Sequence, residues 1–176
     1  MEKTIVDILY EDFLNLNQFL IKNEEPSFTV LIDDHFRKSL LLSSASFFEY
    51  QICNILTEYF HNTTNSNLII TSFLKNKAIS RQYHTFFCWD AANANNFFAL
   101  FGEKFKNHMT AIIKDNEKLE SSIKDFMEIG RERNRLVHQN YANYTIEKTV
   151  DEIFNLFKSA QYFMEIFNVN INSVSN

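Results

Sequence analysis

This chain has very few places at which it can turn sharply. Its 176 residues include two glycines, Gly102 and Gly130, and one proline, Pro26. Tight strand-to-strand turns draw on Gly for positive φ and on Pro for a fixed φ, so a fold of many short strands lacks its punctuation here. Long helices need few turns, and they remain the way to bury an apolar fraction of 45% that includes 19 Phe. Two glycines also leave no room for a G-x-G-x-x-G or a P-loop, which removes the usual signatures of dinucleotide enzymes and ATPases.

The apolar spacing agrees with helices. Ile5, Ile8, Leu9, Phe13, Leu16 and Leu20 recur at three and four, and "KNEEP" closes that helix before Pro26. Leu41, Ala45, Phe48, Ile52, Ile55 and Tyr59 form one stripe of a second helix from about Ser27 to Tyr59, with "HNTTNSN" read as a loop. The middle reads as short helices broken near Asp90 and Gly102, with Asp90 or Asn93 as N-cap. "DNEKLESSIKDFMEIGRERNRLVH" makes a fourth helix and "QNYANY" a turn. A last helix then carries Ile146, Val150, Ile153, Phe157, Ala160, Met164 and Phe167, with Thr145 as its N-cap. The expectation is an all-α, up-and-down bundle of about five to six helices, built as a single domain over residues 1–176, because a chain of this length buries roughly two-thirds of its unfolded surface.

Charge and cysteine narrow the partners. A net charge of -5 argues against a broad electrostatic footprint on nucleic acid, so any polyanion contact must be local. Cys53 and Cys88 have no CxxC partner, and His35, His61, His84 and His108 are scattered, so neither a metal nor a cofactor is expected. No apolar run approaches the roughly 18 residues of a membrane span and no leader pattern opens the chain, so the reading is soluble, cytoplasmic and reduced.

One stretch does not fit a plain bundle. "MEIGRERNRLVHQNY", residues 127–141, ends an apolar helix with three arginines, an asparagine and a histidine. On a wheel of about 100° per residue, Leu119, Ile123, Phe126, Met127, Gly130 and Val137 share the core face, with Arg133 about 40° and Asn134 about 60° from its centre. His138 lies about 100° away and Arg135 about 160°; Arg131 and Arg135 fall on the outer flank and Glu132 faces solvent. An inward arginine and amide need partners, since burying them unbonded costs a few kcal/mol or more. Gly130 on the same face admits a close neighbouring backbone at a helix-propensity cost of about 1 kcal/mol.

Arg133, Asn134 and His138 form "RNRLVH" near the end of a long helix, and this resembles the HEPN superfamily of small helical domains, whose hallmark is an arginine, four to six residues and a histidine, often with Asn after the arginine. "SSASFFEYQICNIL" and "YHTFFCWDAANANNFFALFGEKFK" are similar to the branch found in bacterial defence and toxin–antitoxin loci. The resemblance covers most of residues 40–160. It implies a metal-independent endoribonuclease acting as a homodimer, with the Gly130–Tyr141 segments of both chains in one cleft.

The residue types suit that chemistry. Imidazole exchanges protons near neutrality, so His138 would act as acid–base catalyst on the RNA 2′-hydroxyl or the leaving oxygen. The always-charged, planar guanidinium of Arg133 would hold the charge that gathers on the phosphorane. Asn134 would orient the imidazole or bind a phosphate oxygen. Glu49 is a supporting candidate that either pairs with Arg133 or faces solvent; Tyr141 either stacks on a base or packs on the bundle. Arg131 is a third, as a contact for carboxylates of an antitoxin or defence-complex partner acting in trans. Arg133 and His138 diverge by about 140° on an ideal helix, which favours a composite dimer site. The alternative is a non-catalytic dimerisation or interaction module that binds a partner protein or nucleotide.

Overall fold

A computed structural model describes residues 3–173; Met1, Glu2 and residues 174–176, the ends of the expected 1–176 domain, lie outside the described residues. Among the described residues there are helices and no strand. The long ones are α1 (Ile5–Lys22), α2 (Pro26–Thr63), α6 (Glu103–Lys114), α7 (Glu117–His138) and α8 (Val150–Ser173). Between α2 and α6 the chain makes short pieces: α3 (Leu68–Leu74), a π-helical turn (Lys75–Ile79), α4 (Tyr83–Phe86) and α5 (Asn95–Ala99).

The helix ends follow from local chemistry. Thr4 and Asp7 form a reciprocal capping box at the start of α1, and Pro26 occupies the first turn of α2, where its missing N–H is no loss. Asn116 caps α7 by accepting from the Leu119 N–H at 2.9 Å. Gly102 caps α6 at φ 88°, and a Cβ there would meet nothing. Its backbone conformation, rather than lack of space, therefore calls for glycine.

Three expected boundaries differ. The α2 helix runs on through His61–Thr63, so the "HNTTNSN" loop is shorter than its polar composition implies. The α5 N-cap is Ala94, with Asn93 Oδ1 accepting from the Asn95 N–H, and among the described residues Asp90 makes no cap. The α8 helix is capped by Thr149, whose Oγ1 accepts from the Glu152 N–H at 3.2 Å while the Glu152 carboxylate accepts from Thr149. Thr145 is therefore in the loop, and Ile146, expected as the first apolar residue of α8, is buried from the loop instead.

The bundle core is aromatic. Helices α2, α7 and α8 pack on one another, and α1 lies against α2. Phe48 of α2 meets Phe126 of α7 at 5.5 Å and Phe157 of α8 at 5.3 Å between ring centroids. Phe126 meets Phe163 of α8 edge-on at 5.1 Å, a favoured geometry for ring pairs. A buried Ser122 on α7 sets the register with α8, donating to the Ser159 carbonyl at 2.8 Å and accepting from the Phe163 N–H at 2.7 Å. Those two α8 groups are four residues apart, so the hydroxyl stands within one turn of the helical ladder. No helix among the described residues is long and apolar enough to cross a membrane.

Candidate active site

The C-terminal turns of α7 form one wall of a cavity of ≈ 320 Å³. Gly130, Arg133, Asn134, Val137 and His138 all line it. Their spacing of three, four, seven and eight from Gly130 is one continuous face of a helix. The cavity sits over the Gly130–Val137 line, with Arg133 on one flank and His138 on the other. The roughly 140° divergence of those two residues on the wheel is thus spanned by one cavity of one chain, and does not by itself require a second chain.

Val137 belongs to the expected core stripe, yet it is 50% exposed, because its part of the stripe faces the cavity, and Leu136 is fully buried. Glu132 was expected to face solvent. Instead the loop after α7 folds back over it, and its carboxylate accepts from the Tyr144 hydroxyl at 3.0 Å and from Arg135 at 2.8 Å. Arg131 does not line the cavity, and its Nε is buried without a hydrogen-bond partner among the described residues, so a freely solvated outer flank does not describe it. Tyr141 is also outside the cavity, at 43% exposure, with the Lys38 ammonium 5.3 Å from its ring centre. That buried lysine is held in turn by Asp34 at 2.9 Å.

Glu49 of α2 lines the cavity opposite α7, half-buried. Among the described residues it makes no ion pair with Arg133, whose Nη1 instead donates to the Asn134 Oδ1 at 3.1 Å. Glu49 makes itself felt through charge. Burial first, and then the charges of Glu49 and Cys53, push the Tyr83 hydroxyl well above its ordinary value, with Arg133 pulling the other way. Burial and then Glu49 also raise the Cys53 thiol.

The third wall was not legible in the sequence. It comes from the segment between the π-helical turn and α5, which brings Arg81, Tyr83, His84 and Trp89 to the same cavity. His84, set aside in the sequence as one of several scattered histidines, is therefore a rim residue. Trp89 anchors this wall. Its Nε1 donates to the His84 carbonyl at 3.0 Å, and its ring packs beside Tyr83, Phe87 and Phe126. Gly130 makes the approach possible: a Cβ there would lie 1.9 Å from the indole. The close neighbour of Gly130 is thus a side chain rather than the expected backbone. Two arginines, two histidines, an asparagine and one carboxylate share the cavity, which gives a local cationic mouth on a chain of net charge -5. Such a set can hold a phosphodiester and move protons near neutral pH.

No curated protein and no solved structure matches the chain. One family model does, described as RiboL-PSP-HEPN, and it covers residues 7–173. With nearly all of its length matched, an all-α bundle and the R-N-x-x-x-H face on α7, the chain belongs to the RiboL-PSP-HEPN family of HEPN domains.

Proposed function

We propose that the protein is a metal-independent endoribonuclease that cleaves RNA by attack of the 2′-hydroxyl on the adjacent phosphodiester, leaving a 2′,3′-cyclic phosphate and a 5′-hydroxyl. The observation that carries this reading is the shared cavity of Arg133, Asn134 and His138 on one helical face. Arg133 holds the non-bridging oxygens, where charge grows as the phosphorane forms. His138 exchanges a proton with the reacting oxygens. Asn134, bonded to the Arg133 guanidinium, keeps it turned toward the cavity and offers its own amide N–H to phosphate.

The cytoplasm is the compartment proposed, and restraint there comes in trans: an antitoxin or a larger defence complex covers the cationic mouth with carboxylates and buries the exposed Val137. The proposed assembly is a homodimer in which the Val137–Tyr141 ends of two chains meet, since both residues expose apolar surface beside the cavity.

The test is digestion of total RNA by purified protein in EDTA, read for new cyclic-phosphate ends, beside an Arg133→Ala, His138→Ala control. Cleavage by the wild type alone is expected, together with growth arrest on expression without the partner. Equal silence of both proteins, with both folded, would establish the non-catalytic interaction module instead.

A further inference from the structure

Resting on the ribonuclease reading, we propose that Arg81 and His84, from the turn and short helix facing α7, add to the site formed by α7: Arg81 binds the RNA backbone and His84 performs the second proton transfer.

The chemistry asks for two transfers. A proton leaves O2′ as the O2′–P bond forms, and a proton must reach O5′ as the P–O5′ bond breaks. The atoms balance when one group takes the first proton, another gives the second, and no co-reactant is involved. His138 accounts for one of these. Of the other proton-carrying groups on the cavity wall, Tyr83 is buried, with its hydroxyl pushed far from neutral-pH exchange by burial and the charge of Glu49. Glu49 is half-buried on α2, near enough to Tyr83 and Cys53 for its charge to raise both, and Glu49→Gln is therefore the comparison variant below. His84 is exposed on the opposite rim from α7, where a polynucleotide can reach it.

The position of His84 is built rather than incidental. Its carbonyl is held by Trp89, and Trp89 is seated on Gly130 of the very helix that carries Arg133 and His138. The two histidine-bearing elements are therefore tied together beneath the cavity.

Arg81 is held with comparable care. It has φ 63°, in the left-handed region that residues other than glycine rarely occupy. The flanking turn is closed by Ser80 N–H to the Lys75 carbonyl at 2.7 Å and Gln82 N–H to the Ile79 carbonyl at 3.1 Å. Among the described residues its guanidinium makes no ion pair, so it stands at the cavity unneutralised. A second guanidinium across from Arg133 gives the RNA backbone two anchoring points.

Two measurements test this separately from the parent reading. Binding of an uncleavable 2′-O-methyl oligoribonucleotide is followed against salt. Arg81→Gln is expected to weaken binding about tenfold and to flatten the log–log salt slope by about 0.7, while Arg135→Gln, on the outer face, leaves both unchanged. Unaltered binding in Arg81→Gln overturns the Arg81 assignment. For cleavage, His84→Gln and His84→Asn are expected to lower kcat by about 10²-fold or more with wild-type thermal unfolding.

The deciding substrate carries sulfur in place of the bridging 5′-oxygen at the cut site, because a thiolate leaves without being protonated. One histidine variant, at position 84 or 138, should regain near-wild-type rate on it and the other should not. Rescue of neither, or of Glu49→Gln in place of both, overturns the His84 assignment while leaving the ribonuclease intact. A wild type that binds through Arg81 yet never cuts RNA removes the ribonuclease reading and His84's transfer with it, and leaves the Arg81 binding wall standing.

Discussion

Replacing Gly130 by alanine sets two effects of opposite sign against each other. Helix propensity favours alanine in mid-helix by about 1 kcal/mol. Against it, the new methyl would lie 1.9 Å from one carbon of the Trp89 ring and 2.2 Å from the next. Restoring van der Waals contact requires the indole to recede by about 1.5 Å. Tyr83 and Phe87 stand at 5.5 Å and 4.8 Å between ring centroids and block that retreat. Overpacking of this kind costs about 1–3 kcal/mol, and pulling Nε1 from the His84 carbonyl forfeits about 1 kcal/mol more. The clash wins, with a net destabilisation of about 2 kcal/mol, or roughly 4–8 °C in Tm for a chain of this size. Trp89 is the only tryptophan, so its emission reports the displacement directly. In a Trp89→Leu background the same Gly130→Ala change should turn neutral or stabilising, giving a coupling energy of about 2–3 kcal/mol in the double-mutant cycle. A Gly130→Ala protein with raised Tm and wild-type emission would refute the reasoning, and with it the seating of the Arg81–His84 wall on α7.

Three further outcomes are expected. Arg133→Ala should abolish RNA cleavage, whereas Arg135→Ala should keep most of it, because Arg135 pairs with Glu132 away from the cavity; equal losses would show that arginine count matters more than position. Thr149→Ala should cost about 1 kcal/mol through loss of the α8 cap, and Thr145→Ala should fall within about 0.5 kcal/mol of wild type, both read by urea unfolding. The hydrogen bond to Asp151, and then burial, push the Tyr10 hydroxyl up to about 12 from 10.0. The folded value is the higher one, so this stabilisation is complete below pH 10 and is lost as pH rises through about 12. Tyr10→Phe should cost about 1 kcal/mol at neutral pH and shrink the alkaline loss of stability; an unchanged alkaline profile would remove Tyr10 from that role.

Residues close in sequence on one helix carried most of what could be read without coordinates. The scarcity of Gly and Pro and the three-and-four spacing of apolar residues determine the long helices, because both act within a few turns of backbone. Arg133, Asn134 and His138 are legible for the same reason: their face is a property of α7 alone. The true start of α8 was legible too, since Thr149 and Glu152 carry a capping-box spacing; the helical spacing of Ile146 points to an earlier start, and only the folded loop shows that residue buried outside the helix.

Val137 and Glu132 mark the limit of the wheel. A wheel assigns faces but not what each face meets, and here one face meets a cavity and the other a returning loop. Arg81 and His84 lay beyond any local pattern. Their place depends on a left-handed residue that is not glycine, and on an indole that fits against α7 only where a side chain is missing. Contacts between segments so far apart in the chain are decided by which surfaces interlock once the helices are packed, and spacing along one helix does not encode that fit.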